Sequence, residues 1–187
     1  MFSYDGLVLT SIDVIEAPTE GRPNRVEFPG HLAKGTSDDK TAYFLRNVKE
    51  ARREKGGLVL EADKVDISNL EASRMKKPLF CIHGFNVSAE DHLKACQKAQ
   101  ESSEKFNPIP VIWPAKGEGR TSYFGKRKTE SVGAGTALKT LTKFIGKFPK
   151  KSLHAHSMGN RVLRYAADAG FTFDNIFMVA AVSEHNI

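Results

Sequence analysis

Ser157 lies at the centre of Ala155-His156-Ser157-Met158-Gly159, where small residues stand two positions before and two positions after a serine. A short apolar-tending run precedes this stretch and a helix-like pattern follows it. This arrangement is typical of a nucleophile elbow, a sharp strand-to-helix turn that projects a serine hydroxyl out of a sheet while small residues let the backbones pass closely. Serine is also a common helix-capping residue, so the pattern alone leaves a nucleophile and a structural cap as alternatives.

Residues able to do chemistry also stand directly after other short apolar runs. From residue 78 onward such runs alternate with helical patterns, which predicts an α/β fold with a mostly parallel sheet, helices on both faces and right-handed crossovers. Ligands bind sheets of this kind at the carboxyl ends of the strands. We therefore expect four strand ends to gather around the serine, and their residues are His83-Gly84-Phe85, Trp113-Pro114, Ser157 and Ser183-Glu184-His185.

The first 77 residues are predicted to supply strands and a connecting helix, without recognisable chemistry. Residues 7–15 are rich in β-branched side chains, which predicts a strand, and a second strand begins over 57–60. Proline and glycine break 18–30 into irregular or edge-strand structure. Apolar residues at near-helical spacing predict a helix over 41–55 that ends at a glycine pair.

Residues 78–187 are predicted to form the βαβ core of a single domain that spans the chain, 1–187. Ser88 resembles a residue that caps the start of a helix. A glycine- and charge-rich loop is expected next to the Trp-Pro pair, followed by an amphipathic helix. The expected bounds are 78–82, 109–114 and 175–182 for strands, 116–128 for the loop and 131–148 for the amphipathic helix.

The bulk composition limits the classes of protein to consider. With 40% hydrophobic and 27% charged residues, the chain has the composition of a soluble globular protein. No run approaches the ~18 apolar residues of a membrane span, and no secretory signal is visible. Two cysteines are too few for a disulfide framework. We therefore expect a cytoplasmic protein without a membrane span, and no residues call for a cofactor or a metal. The oligomeric state stays open.

The net charge of +6 is compatible with binding to nucleic acid, which is negatively charged. However, Lys139, Lys143 and Lys147 recur every fourth residue opposite an apolar stripe, which is the solvated face of an amphipathic helix. We expect no nucleic-acid binding, and a basic anion-binding module is the least favoured of three functional interpretations.

Three ordered motifs give the chain a family resemblance over about residues 78–182. They are His83-Gly84-Phe85-Asn86, Trp113-Pro114 and the stretch from Ala155 to Arg161. With them the chain resembles the α/β-hydrolase superfamily, and within it an uncharacterised, mainly bacterial family of esterase/lipase-like hydrolases. That family carries a Tyr after the Trp-Pro pair and an Asp three residues later. Here Tyr123 is followed by Lys126, so this feature is half kept.

The resemblance implies a serine hydrolase that cleaves a small acyl or ester substrate. Ser157 would be the nucleophile, and the backbone N–H groups of Phe85 and Met158 would form the oxyanion hole. Two preorganised donors are needed there because negative charge develops on a carbonyl oxygen during the reaction. The pocket would be lined by Phe85, Val87, Trp113 and Met158, and by Tyr123 or Phe124 from the loop after the Trp-Pro pair.

The base and acid of such a mechanism are expected after Ser157 in the chain. The fold uses the order Ser, then Asp or Glu, then His, and only 30 residues follow Ser157. His185 is the one histidine among them, and Glu184 is the acid at the same predicted strand end. Adjacent residues in an extended chain point to opposite sides, so Glu184 orients His185 only if the chain turns there.

The alternative interpretation is that this chain lacks the last C-terminal strands of the fold. It would then be a catalytically inactive or truncated hydrolase-fold protein that acts as a binding or interaction module. An exposed apolar edge along 176–182 would favour this interpretation, because a missing neighbour leaves an unpaired strand. His83 and His156 are predicted to be structural, since the first belongs to the oxyanion turn and the second precedes the serine.

Overall fold

The structure, a computed structural model, describes residues 4, 6–10, 25–29, 44–54, 57–64, 77–103, 105–113, 115, 145–168 and 170–181. These residues contain eight strands and two helices of eight residues or more. The strands are β1 (Gly6–Thr10), β2 (Arg25–Pro29), β3 (Phe44–Glu54), β4 (Gly57–Lys64), β5 (Pro78–Ile82), β6 (Asn107–Ile112), β7 (Ser152–His156) and β8 (Asn175–Val179), and the helices are α1 (Ala89–Ser102) and α2 (Gly159–Asp168).

The strands form one sheet in the order β2-β4-β3-β1-β6-β5-β7-β8. The five strands from β1 to β8 in this order pair parallel, and β2, β4 and β3 extend the sheet by antiparallel pairing at the β1 side. Because consecutive parallel strands need crossover connections, α1 joins β5 to β6 and α2 joins β7 to β8. The predicted α/β architecture with a mostly parallel sheet is therefore confirmed.

The helix expected over 41–55 is wrong, because residues 44–54 form strand β3. This strand lies between β1 and β4 and pairs antiparallel with both, so its backbone groups find partners across the sheet. Glu54 pairs antiparallel with Gly57, so the chain reverses direction between β3 and β4. Near-helical spacing of a few apolar residues is a weak local preference that such long-range pairing overrides.

The other elements lie close to their predicted positions. Ser88 caps α1, with its Oγ accepting a hydrogen bond from the backbone N–H of Asp91 at 3.1 Å, as the sequence pattern predicts. The strand predicted over 7–15 is described only to Thr10. The loop over 116–128 and residues 131–144 of the expected helix lie outside the described residues. None of the helices that the structure describes is long and apolar enough to cross a membrane.

The core is built around the central parallel strands. Apart from the partly buried Leu79, the apolar side chains of β5, β6 and β7 are buried, and Phe80 packs edge-to-face on Phe148 with ring centroids 6.1 Å apart. Helix α2 contributes Val162, Leu163 and Ala166 to the same cluster. Burial of this apolar area drives the helix against the sheet and so determines where its first turn lies.

The chain reverses its direction of travel across the sheet between β5 and β7. The crossover through α1 leads from β5 to β6 on one side, whereas the crossover through α2 leads from β7 to β8 on the other. Ile82 pairs with Ala155, so these two strands end at the same level. Such a switch point leaves a crevice at the carboxyl ends of the strands, where α/β sheets bind ligands. His83 and Ser157 follow directly at this point.

Candidate active site

Ser157 stands in a tight turn between β7 and α2. Its φ angle is +50°, in the left-handed region that non-glycine residues rarely adopt and that costs about 1–3 kcal/mol. The turn is held by hydrogen bonds from the Ser157 N–H to the Val179 carbonyl at 2.8 Å and from the Asn160 N–H to the Ser157 carbonyl at 3.0 Å. The stretch therefore has the strand–turn–helix geometry of a nucleophile elbow, and Ser157 is half-buried at its tip.

Two glycines bring the elbow into contact with the turn after β5. A Cβ atom on Gly159 would lie 2.8 Å from the carbonyl oxygens of both Ile82 and His83. A Cβ atom on Gly84 would lie 2.9 Å from Nδ1 of His156 and 3.0 Å from Cβ of Ser157. The approach at Gly159 is closer than a larger residue tolerates without a shift of the backbone, and the approach at Gly84 places the turn at 83–86 directly against the serine.

His83 anchors this turn to the end of β6. The indole Nε1–H of Trp113 donates to the His83 carbonyl at 2.9 Å, and the two rings stack with centroids 5.7 Å apart. The ring Nδ1 lies 3.1 Å from the Gly84 carbonyl, while Nε2 lies 3.4 Å from the backbone N–H of Trp113. This pattern fits a neutral ring whose Nδ1–H donates and whose Nε2 accepts. Burial lowers the pKa of His83 to about 4, which keeps the ring neutral.

The two residues expected to supply oxyanion donors lie in the two segments that meet here, Met158 in the elbow and Phe85 in the turn after β5. Met158 follows Ser157 and is buried, and within the described part of the chain its backbone N–H donates to no acceptor. Phe85 is partly buried against the core in the turn that contacts the elbow. The next residue, Asn86, has φ of +59° and donates its N–H to the Ala115 carbonyl at 3.0 Å, which fixes the far side of the turn.

The expected pocket residues occupy different levels of the site. Val87 is half-buried at the start of the segment leading to α1. Trp113 is 1% exposed and lies beneath the turn, where it supports His83. Tyr123 lies outside the described residues, as do Glu184 and His185. Their places relative to Ser157 stay predictions.

Within the described ranges, no histidine ring is hydrogen-bonded to the Ser157 hydroxyl. Nε2 of His92 lies 2.8 Å from the Cys81 carbonyl, and burial lowers its pKa well below 6.5. His154 is half-buried, and burial followed by repulsion from His156 lowers its pKa. Across the described ranges, no cluster of three or more His, Cys, Asp or Glu residues could hold a metal ion.

One site residue escapes the sequence patterns. The side-chain Nδ2 of Asn160 donates to the Ser157 carbonyl at 2.9 Å and to the Val179 carbonyl at 3.2 Å. Asn160 belongs to the motif from Ala155 to Arg161, but its role depends on the end of β8, 19 residues further along the chain. Only the parallel pairing of β7 with β8 brings those groups together.

Comparison with models of known protein families identifies the family of this chain. The model of a family described as alpha/beta hydrolase of unknown function (DUF900) matches residues 61–168, more than half of the chain. The chain belongs to this family. The α/β-hydrolase fold expected from the three motifs is therefore shown, and the matched segment of the DUF900 family includes both the turn at 83–86 and the elbow. Searches of curated proteins and of solved structures each found no significant match.

The contact at Gly159 gives a first testable prediction for this DUF900 protein. Gly159→Ala forces a methyl group against two backbone oxygens, so we expect a loss of roughly 2 kcal/mol or more in the free energy of unfolding. Gly146→Ala is the matched control, because Gly146 is helical and a Cβ atom there would have no other atom within 4 Å. It should stabilise by about 0.5–1 kcal/mol. Equal effects of the two substitutions in urea titrations would contradict the close contact.

The buried His83 predicts a pH dependence of stability. The unfolded residue takes up a proton below pH 6.5, whereas the folded residue does so only below about 4. The contribution of His83 to the free energy of unfolding is therefore fully present above pH 6.5. It is lost as the pH falls toward 4, and this residue alone lowers the free energy of unfolding by about 3 kcal/mol. Urea unfolding at pH 7 and pH 4 should show a smaller loss in His83→Gln than in the wild type, with His92 supplying part of what remains. The same loss in both proteins would contradict a neutral, buried His83.

Proposed function

We propose that this protein is a serine hydrolase that cleaves ester-like acyl substrates through an acyl-enzyme on Ser157. The observation that carries the proposal is the contact between the elbow and the turn after β5, where a Cβ on Gly84 would lie 3.0 Å from Cβ of Ser157. A serine in left-handed backbone, beside a second loop at a switch point of the sheet, is the geometry that acyl transfer requires.

The chemistry begins with attack of the Ser157 hydroxyl oxygen on the carbonyl carbon of the substrate. The carbonyl π electrons move to the oxygen, and the N–H groups of Met158 and Phe85 are proposed to hold the resulting oxyanion. Collapse of the tetrahedral intermediate expels the alcohol, which takes up a proton, and leaves an ester on Ser157. Water then attacks that ester and releases the carboxylic acid.

The serine proton needs an acceptor in both halves of this reaction. We assign His185 as the base that takes this proton and returns it to the leaving alcohol, with Glu184 as the carboxylate that supports the imidazolium. The support is the chain order, together with the end of β8: the Val179 carbonyl accepts the Ser157 N–H, so the chain leaves β8 beside the elbow. Asp174 is a poor alternative because its carboxylate accepts the Lys151 N–H at the opposite end of β7.

Apolar groups around the elbow favour an acyl chain as the part of the substrate that is bound. Phe85 and Val87 are partly exposed in the segment between β5 and α1, whose turn contacts the elbow, and Tyr123 is proposed to join them from the loop after β6. Cys81 and Cys96 are free, buried thiols, the state that a reducing compartment maintains, which supports the proposed cytoplasmic location.

Covalent labelling tests the proposed nucleophile. A fluorophosphonate should label Ser157 with loss of fluoride, and peptide mass spectrometry should find the adduct on that residue. Ser157→Ala should abolish labelling, and His185→Asn should slow it by about 10²–10⁴-fold, the usual contribution of a general base. Ser88→Ala is a control that removes a serine from the start of α1. An unlabelled wild type, beside a serine hydrolase that is labelled in parallel, would overturn the proposal.

The exposed strand β8 favours a second candidate function, an interaction module. Ile176, Phe177, Met178 and Val179 are 45–58% exposed, and β8 pairs only with β7 among the described strands. Their side chains alternate between the two faces, so both faces of this edge are apolar. The strand carries no charge, and natural edge strands usually carry one to block pairing. A second copy placed antiparallel would set Phe177 against Phe177 and Ile176 against Met178.

Self-association tests this second function. Sedimentation velocity should show the wild type forming dimers as its concentration rises. Met178→Lys should keep the protein monomeric, because a lysine on an edge strand opposes strand addition. Gln100→Lys adds the same charge on the exposed side of α1 and should leave the dimer intact. A wild type that stays monomeric throughout would remove the edge-pairing function.

A further inference from the structure

Asn160 is the second residue of α2, and its side chain is buried beneath the elbow, with only 7% of the residue exposed. Its Nδ2 donates to two carbonyl groups, at 2.9 Å to Ser157 and 3.2 Å to Val179. The Val179 carbonyl also accepts the backbone N–H of Ser157 at 2.8 Å. These bonds form a closed set that joins the elbow, the first turn of α2 and the end of β8.

The chemistry of this set requires an amide side chain. Two carbonyl oxygens converge on one point, and a terminal nitrogen with two hydrogens satisfies both. An aspartate at the same position offers only acceptors, and a glutamine is longer by one methylene group. The second polar atom of the side chain, Oδ1, is buried and has no hydrogen-bond partner among the described residues. An unpaired buried acceptor costs free energy. We infer that the two hydrogen bonds of Nδ2 offset this cost.

The consequence for the site follows from the planarity of the peptide bond. The Ser157 carbonyl and the Met158 N–H belong to one peptide unit and point in opposite directions in the trans form. The Ser157 carbonyl accepts both the side-chain Nδ2–H and the backbone N–H of Asn160, at 2.9 Å and 3.0 Å. Whatever holds that carbonyl therefore also sets the direction of the Met158 N–H.

We propose that Asn160 is a positioning residue that aims the Met158 N–H at the oxyanion by clamping the peptide between Ser157 and Met158. This inference rests on the proposed hydrolase function and adds to it the group that preorganises one of the two donors. Preorganisation matters because a donor already in place costs no reorientation when charge develops. Asn160 touches neither substrate nor reacting atom, so it acts through the peptide alone.

The test compares Asn160→Asp with the matched control Val162→Ala. Asn160→Asp keeps the shape of the side chain but loses both Nδ2 donors, whereas Val162→Ala removes fully buried apolar atoms from the same helix and leaves the clamp intact. The rate constant for fluorophosphonate labelling of Ser157 should fall about 10- to 100-fold in Asn160→Asp, as expected for a misplaced site group. It should stay within about threefold in Val162→Ala, with both variants folded at the assay temperature.

Amide hydrogen exchange gives a readout that does not need activity. Exchange of the Ser157 N–H should be about tenfold faster or more in Asn160→Asp and unchanged in Val162→Ala, because only the first variant frees the peptide groups around Ser157. Equal labelling rates in Asn160→Asp and wild type would overturn this inference and leave the hydrolase proposal standing. If the wild type is not labelled, the hydrolase proposal fails, and equal Ser157 exchange in the two variants would then overturn the clamp as well.

Discussion

Close contact between two backbone turns at the switch point of the sheet is the constraint on which the site depends. Gly159 lets the first turn of α2 approach the Ile82 and His83 carbonyl groups, and Gly84 lets the turn after β5 approach Ser157. A side chain at Gly159 would push the two backbone segments apart, and one at Gly84 would crowd His156 and Ser157. Since catalytic geometry tolerates displacements of only about 1 Å, a pair of donors and a nucleophile can share one point only if this contact is kept.

The contact is maintained by the strands that flank β5 and β7 in the sheet, β6 and β8. On one side Trp113, the residue after β6, donates its indole N–H to the His83 carbonyl and stacks its ring on the histidine. On the other side β8 ends in Val179, whose carbonyl accepts from the elbow and from Asn160. The ends of all four strands around the switch point, β6, β5, β7 and β8, are therefore linked by hydrogen bonds or close contacts. The buried, neutral His83 contributes no net charge to the site.

The parts of this fold that sequence predicts are those whose signal is local. The elbow and the turn at 83–86 are read from spacing within a few residues, and α1 is read from its cap at Ser88. Strand β3 resembles a helix in its sequence because its identity comes from pairing with β1 and β4. Asn160 escapes detection for the same reason, since its partner Val179 is distant in sequence. A hydrogen bond between a helix residue and the end of a strand depends on tertiary structure, so no local sequence pattern reveals it.

Strand β8 connects the two functional candidates. The same strand that accepts the elbow at its carboxyl end exposes apolar side chains along its length. Any segment that paired with the free edge of β8 would occupy that edge and would also lie near the region where the chain leaves β8. The two candidates therefore make separate demands on one element: turnover needs its end held in place, and association needs its edge free.

A crystal structure of the protein after reaction with a fluorophosphonate tests the central claim most directly, because the adduct marks where the oxyanion would lie. The account predicts phosphorus bonded to Oγ of Ser157 and a phosphoryl oxygen about 3 Å from the backbone nitrogen atoms of both Met158 and Phe85. An adduct whose oxygen points to solvent, with the turn at 83–86 displaced from the elbow, would contradict it.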